Sequence, residues 1–169
     1  VNSDIGQDDA GITQTFDFAA FSEYGDGNLP NDRRHNLKMF GSYAFDFGLQ
    51  LGANAYYRTG RPINGFGVHP TDPWAQRYGA FAFFNQGEPC PRGCGGTTDS
   101  TWGLDVMARY DVKLGPATGY LRLDAFNVFN NQAVSEVDEF ADYSSSAANP
   151  DYLKPTGYQT PRRVRFGIG

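Results

Sequence analysis

The chain has 169 residues, of which 40% are hydrophobic and 15% aromatic, with 21 Gly and 10 Pro; that mixture favours many short strands joined by Gly, Asn, Asp and Pro turns over helices. A formal net charge of −5 leaves no basic footprint with which to neutralise phosphates, which argues against nucleic acid as a partner. The longest uninterrupted apolar run, residues 80–84, falls far short of the roughly 20 residues of a membrane-spanning helix, so a helical membrane protein is excluded.

Residues 1–30 lack alternation and carry Asp4, Asp8, Asp9, Asp17, Glu23 and Asp26, with Asp32 close behind. They read as a solvated outer loop, taken to residue 33, and any export signal is expected upstream of Val1. From Asn36 the pattern changes to period two. Leu37, Met39, Gly41, Tyr43 and Phe45 share one face, and Asn36, Lys38, Phe40, Ser42 and Ala44 the other, which predicts a strand. Asp46, Phe47 and Gly48 predict a tight turn, after which Leu49, Leu51, Ala53, Ala55 and Tyr57 alternate with Gln50, Gly52, Asn54, Tyr56 and Arg58. Residues 34–59 therefore form a hairpin.

Residues 60–100 are irregular, with a short strand expected near residues 80–84. Arg61, Trp74, Arg77 and Tyr78 in this stretch, with Arg58 before it, are the candidates for ligand contact, since exposed aromatics and arginines suit binding surfaces; packing within the loop is the competing role. Cys90 and Cys94 flank Pro-Arg-Gly. That spacing fits neither a four-ligand zinc site nor a C-x-x-C redox motif, and a small disulfide loop is expected, with two free thiols as the alternative. His35 and His69 stand alone in different segments.

Strict alternation returns over residues 102–113: Trp102, Leu104, Val106, Ala108, Tyr110 and Val112 oppose Gly103, Asp105, Met107, Arg109, Asp111 and Lys113. A helix would bring Asp105 and Arg109 onto the apolar side, so the strand template fits better. A turn at Gly115-Pro116 leads to a strand predicted over residues 120–129, and residues 101–129 make the second hairpin. A polar loop, residues 130–161, follows; its Glu136, Asp138, Glu139 and Asp142 read as solvated surface, and they lack the spacing of an EF-hand calcium loop. Arg163, Arg165 and Gly167 then alternate with Val164, Phe166 and Ile168, opening a last strand over residues 162–169.

Connection lengths set the architecture. They run short, long, short, long, and the full strands are about nine to twelve residues, near the length that crosses a bilayer when tilted. A soluble β-sandwich has no reason to put every long excursion at one end of its hairpins. Lys38, Arg58, Asp105, Arg109, Asp111, Lys113, Arg122, Asp124, Arg163 and Arg165 all take the inward parity, and the outward parity of the strands is free of charge. A watery lumen accepts such groups, whereas lipid charges about 2–4 kcal/mol for a cation at mid-depth. Tyr43, Phe45, Tyr57, Trp102, Tyr110 and Phe129 near strand ends suit two interfacial girdles. The expectation is an all-β antiparallel transmembrane barrel segment of about five strands. Five strands cannot close a barrel, so further strands are expected elsewhere in the protein.

Several segments also resemble a known family. The run from Leu29 through Arg33-Arg34-His35-Asn36-Leu37 to Tyr43, then Tyr57-Arg58-Thr59-Gly60-Arg61-Pro62, resembles a late barrel hairpin of TonB-dependent receptors, especially the Oar-like group with a carboxypeptidase-regulatory-like domain. Leu123-Asp124-Ala125-Phe126-Asn127-Val128-Phe129-Asn130 resembles the penultimate strand of that family, and Thr160-Pro161-Arg162-Arg163-Val164-Arg165-Phe166-Gly167 its final strand. The family ends its last strand on an aromatic residue, which is expected beyond Gly169.

The resemblance implies a barrel of roughly 22 strands with a plug in its lumen and location in the cell outer membrane. The partners it implies are outer-membrane lipid, the protein's own N-terminal plug, the remaining barrel strands, and TonB through a segment outside this chain. The function it implies is energised uptake or export of an unidentified substrate. Lys38, Asp105, Arg109, Asp111, Arg122, Asp124, Arg163 and Arg165 would face lumen and plug. No phosphate loop, G-x-S-x-G or H-E-x-x-H motif occurs, so neither enzyme activity nor a cofactor is expected. The rival readings are a plug-less outer-membrane enzyme or adhesin and a soluble β-sandwich binding module.

Overall fold

A computed structural model describes residues 19–145 and 147–169; the early acids Asp4, Asp8, Asp9 and Asp17 lie outside the described residues. The chain forms two compact units. One comprises Arg34–Thr59, Ser100–Ala133 and Tyr158–Gly169; the other is built from the described part of Val1–Arg33 with Gly60–Asp99 and Val134–Gly157.

The first unit is a five-stranded antiparallel sheet whose strands neighbour one another in chain order. They are β1 (Asn36–Ala44), β2 (Leu49–Arg58), β3 (Thr101–Leu114), β4 (Ala117–Phe126) and β5 (Arg163–Ile168). This is the expected all-β, antiparallel arrangement of five strands. Its register carries the alternation across every strand: Tyr43, Leu51, Ala108, Leu123 and Phe166 form one row, and Gly41, Ala53, Val106, Ala125 and Val164 the next row on that face. Between them runs a row of the opposite face: Ser42, Gly52, Met107, Asp124 and Arg165. A slip of one residue in any pairing would put charge into the apolar face, so the pattern itself fixes the register.

The short turns and long connections fall at opposite ends of this sheet. At the first turn Gly48 has φ 93°, and its N–H donates to the Phe45 carbonyl at 3.1 Å while its own carbonyl accepts from Asp111 N at 2.9 Å. Gly115 supplies the second turn with φ 66°. The chain leaves for its long excursions at Arg58 and Phe126 and returns at Thr101 and Arg163, which are their register partners.

Strand β4 ends three residues earlier than the alternation predicts. Asn127 takes φ 49°, a left-handed conformation that short polar side chains tolerate and that breaks a strand. Its N–H donates to Asp105 Oδ1 at 2.9 Å, its Nδ2 to the carbonyls of Asn131 and Thr160 at 2.9 and 2.8 Å, and its Oδ1 accepts from Asn131 N at 3.0 Å. Val128 and Phe129 thus belong to the bend.

The second unit is folded rather than irregular. Pro62–Ile63 pairs with Gly96–Thr97, Phe84–Asn85 with Glu88–Pro89, and Asp142–Ser144 with Ala147–Ala148; the strand expected over residues 80–84 is displaced to the second of these ribbons. Helix α1 (Pro73–Arg77) begins where Asp72 Oδ1 accepts from Trp74 N and Ala75 N, with Pro73 opening the first turn, the arrangement in which a missing proline N–H costs nothing. Phe21, Ala75, Ala82, Phe83 and Phe84 are buried in the unit's core, joined by Ile63, Phe66 and Val68.

One expectation is overturned here. The acids of residues 136–142 are not all solvated: Asp142 is buried and accepts from Val68 N and Gln86 N, and Glu139 and the half-exposed Glu136 are engaged by Arg61. The guanidinium that neutralises two of them comes from 75 and 78 residues away in sequence, beyond any local pattern.

Candidate functional site

The sheet presents two chemically opposed faces. On the polar one, Asp124 is 4% exposed and held between two guanidiniums. Arg122 Nε donates to its Oδ1 at 3.0 Å, and Arg165 Nη2 and Nε donate to its Oδ2 at 2.9 and 3.0 Å. Arg109 Nε donates to Asp111 Oδ1 at 2.8 Å, and the Arg109 guanidinium lies 4.3 Å from the Tyr120 ring centre. Arg163 covers the Phe126 ring at 4.6 Å. Asn54 Nδ2 donates to Asp105 Oδ2 at 3.3 Å. Of these ion pairs, Arg165–Asp124 joins adjacent strands, where facing side chains are close enough to pair, whereas Arg122–Asp124 and Arg109–Asp111 each join residues two apart on one strand. The register puts Lys38, Arg58, Asp105, Arg109, Asp111, Arg122, Asp124, Arg163 and Arg165 on this one face.

The other face is apolar and uncovered. Leu37, Met39, Tyr43, Leu51, Val106, Leu121, Leu123, Val164 and Ile168 are all exposed, and Phe166 reaches 80%. Leaving so much apolar surface in water would forfeit about 25 cal/mol for every Å² of it, and a continuous patch of this kind marks a surface meant for an apolar environment. Aromatic groups bracket it. At the end of the long connections Tyr57 pairs with Trp102, whose ring lies 5.7 Å from Phe129. At the turn end Tyr43 and Phe45 meet edge to face at 4.8 Å, and Tyr110 lies opposite Leu49.

The five sequence candidates have different surroundings, four of them in the folded loop unit. Arg58 belongs to the sheet and is exposed at the end of β2. Arg61 is 9% exposed; its Nε donates to Glu136 Oε2 at 3.1 Å, and its Nη1 to Glu139 Oε1 at 2.7 Å and the Pro62 carbonyl at 3.0 Å. Burial alone would depress the Arg61 pKa, but the hydrogen bonds and charges of Glu139 and Glu136 outweigh it and raise it. Trp74 is exposed, with the Arg77 guanidinium 5.0 Å from its ring centre. Tyr78 is exposed at one edge while its ring meets buried Phe21 at 5.9 Å. Cys90 and Cys94 are joined as a disulfide.

Several residues that shape this unit lie outside the sequence candidates. His69 is buried; its Nδ1 accepts from Asp72 N at 2.9 Å and Thr71 N at 3.2 Å, which leaves the proton on Nε2, 3.3 Å from Glu23 Oε2. Asp72 is held below the usual carboxylate range by the N–H groups of Ala75 and Trp74. Burial, with the Glu139 charge behind it, pushes the Tyr152 phenol up. Among the described residues no group of three His, Cys, Asp or Glu is placed to hold a metal ion.

No family model matches the chain. Over an alignment of 206 positions it is 30% identical to the TonB-dependent transporter Oar of Myxococcus xanthus, an alignment that covers 98% of this chain and 18% of that protein. Among solved structures it overlays on P. aeruginosa FpvA, in a complex with a heterologous pyoverdine and iron, with a TM-score of 0.49 and 16% identity; the overlay covers 84% of this chain and 15% of FpvA. The chain thus spans less than a fifth of the length of either protein.

Proposed function

The chain belongs to the TonB-dependent receptors and transporters, and we propose that it is a stretch of their β-barrel, supplying outer-membrane barrel wall and ligand-facing outer loops for energised passage of a substrate. The observation that carries this reading is the sheet's pairing of an uncovered apolar face with an ion-paired one. Hydrocarbon takes the first, and a wet lumen holding the plug takes the second, through Lys38, Asp105, Arg109, Asp111, Arg122, Asp124, Arg163 and Arg165.

The short turns at Gly48 and Gly115 then lie on the periplasmic side, and residues 60–100 and 130–161 reach outward. This is the common asymmetry of outer-membrane barrels. A soluble sandwich would need a second sheet over Leu123 and Val106, and both are exposed. The protein's further strands, its plug and its contact with TonB belong to the same proposal, as does its place in the outer membrane.

The test is genetic. Deleting this gene and deleting tonB in the native host should produce the same change in cell-associated and released solutes, scored by comparative profiling of cells and spent medium. A gene deletion whose defect persists with TonB intact but is not reproduced by loss of TonB contradicts energised transport.

A further inference from the structure

Two distant stretches of the folded loop unit meet around a cleft of about 560 Å³, lined by Arg61, Phe66 and Phe81 from one and by Glu136, Asp138, Glu139 and Phe140 among others from the second. That volume is in the range of small-molecule sites. Its walls are fixed by backbone bonds: Phe66 N donates to the Glu139 carbonyl at 2.8 Å, and Ala141 N to the Phe66 carbonyl at 2.7 Å.

The polar side carries three carboxylates and one guanidinium, an excess of two negative charges. All three carboxylates are held in place. Glu136 and Glu139 are tied to Arg61, while Asp138 accepts from Phe140 N at 2.9 Å and Asn149 Nδ2 at 3.1 Å. Arg61 donates from all three of its nitrogens, so it has little left with which to recruit an anion. The same cleft has an aromatic lining: Phe140 is 45% exposed and meets Phe81 edge to face at 6.1 Å and Phe66 at 6.3 Å.

An exposed ring face beside positioned carboxylates attracts a cation that is itself flat, since such a group stacks on the ring and bonds oxygen at its edge. We propose that this cleft binds a guanidinium or amidinium group carried on an apolar or peptide body. The inference concerns Gly60–Asp99 and Val134–Gly157 alone and holds whether or not the protein transports what it binds.

The experiment is calorimetric titration of the full-length, detergent-purified protein with three probes. Benzamidine represents a free aryl cation, N-acetyl-glycyl-arginyl-glycinamide a peptide-borne guanidinium, and benzoate an anion of matching size. At least one of the two cations should bind saturably at one site, the tighter one identifying the source, and benzoate should not bind. Phe140→Leu, which keeps an apolar side chain but removes the ring, should weaken the cation by about tenfold, and Glu136→Gln by several-fold. An unchanged melting temperature in both variants separates these losses from unfolding. Failure of both cations to bind, binding of benzoate as tight as benzamidine, or wild-type affinity in both variants overturns the proposal.

Discussion

Val106 and Met107 are adjacent in β3 yet should respond oppositely to the same substitution. Val106 lies four residues from Trp102 and four from Tyr110, in the row Gly41, Ala53, Val106, Ala125, Val164. At a rise of about 3.3 Å per residue each aromatic end is roughly 13 Å away along the strand, or roughly 10 Å in depth at a tilt near 40°. An arginine there reaches neither interface comfortably, and Val106→Arg should cost about 2–4 kcal/mol. Met107 is in register with Asp124 on the polar face, where Arg122 and Arg165 already hold that carboxylate; Met107→Arg therefore gains little attraction, but its charge meets water rather than hydrocarbon and should cost less than about 1 kcal/mol. A gap of about 2 kcal/mol is roughly a 30-fold difference in the folding equilibrium. Denaturant titration of the full-length protein refolded into liposomes, read by tryptophan fluorescence, measures it. Equal losses at the two positions, or a larger loss at Met107, would refute the assignment of faces.

The loop unit and the turns give further tests. Arg61→Leu strands Glu139, whose side chain is 17% exposed, and the half-exposed Glu136; after discounting for solvent around Glu136 the loss is about 2 kcal/mol, seen as faster limited proteolysis within Gly60–Asp99. Gly48→Ala places a Cβ 3.0 Å from the Asp111 carbonyl oxygen at φ 93°, whereas at Gly115 no atom lies within 4 Å of the new Cβ. The first substitution should cost about 1–3 kcal/mol and the second about 1 kcal/mol, and melting of the two variants ranks them. Asp72 has its pKa depressed by the N–H groups of Ala75 and Trp74, so its capping contribution is complete above the ordinary aspartate range and is lost as pH falls below it. Amide protection of Trp74 and Ala75 should fall in acid, and Asp72→Asn should abolish that pH dependence; protection insensitive to acid in the wild type contradicts the capping role.

The sheet was legible in the sequence because its physics is local. Alternation over residues 102–113 requires only that neighbours in sequence face opposite ways, and β3 occupies Thr101–Leu114. The end of β4 was hidden because Phe126, Val128 and Phe129 continue to look like strand, while the chain turns on the left-handed backbone of Asn127. The loop unit was illegible for a different reason. Arg61 and Glu136 are 75 residues apart, and whether an acidic run is solvated or buried depends on such a partner rather than on its own composition. The short helix did leave a local trace in Asp72-Pro73, a capping residue followed by the one residue that opens a helix without an N–H.

The most direct measurement of the central claim is nitroxide scanning along β3, one label at a time from residue 102 to 112 in the full-length protein reconstituted in bilayers. Collisions with oxygen, which concentrates in hydrocarbon, should peak at Leu104, Val106 and Ala108. Collisions with a water-soluble nickel chelate should peak at Asp105, Met107 and Arg109. A strand whose two faces give the same oxygen and nickel accessibility, or one with the two maxima exchanged, contradicts a wall with lipid on one side and a wet lumen on the other.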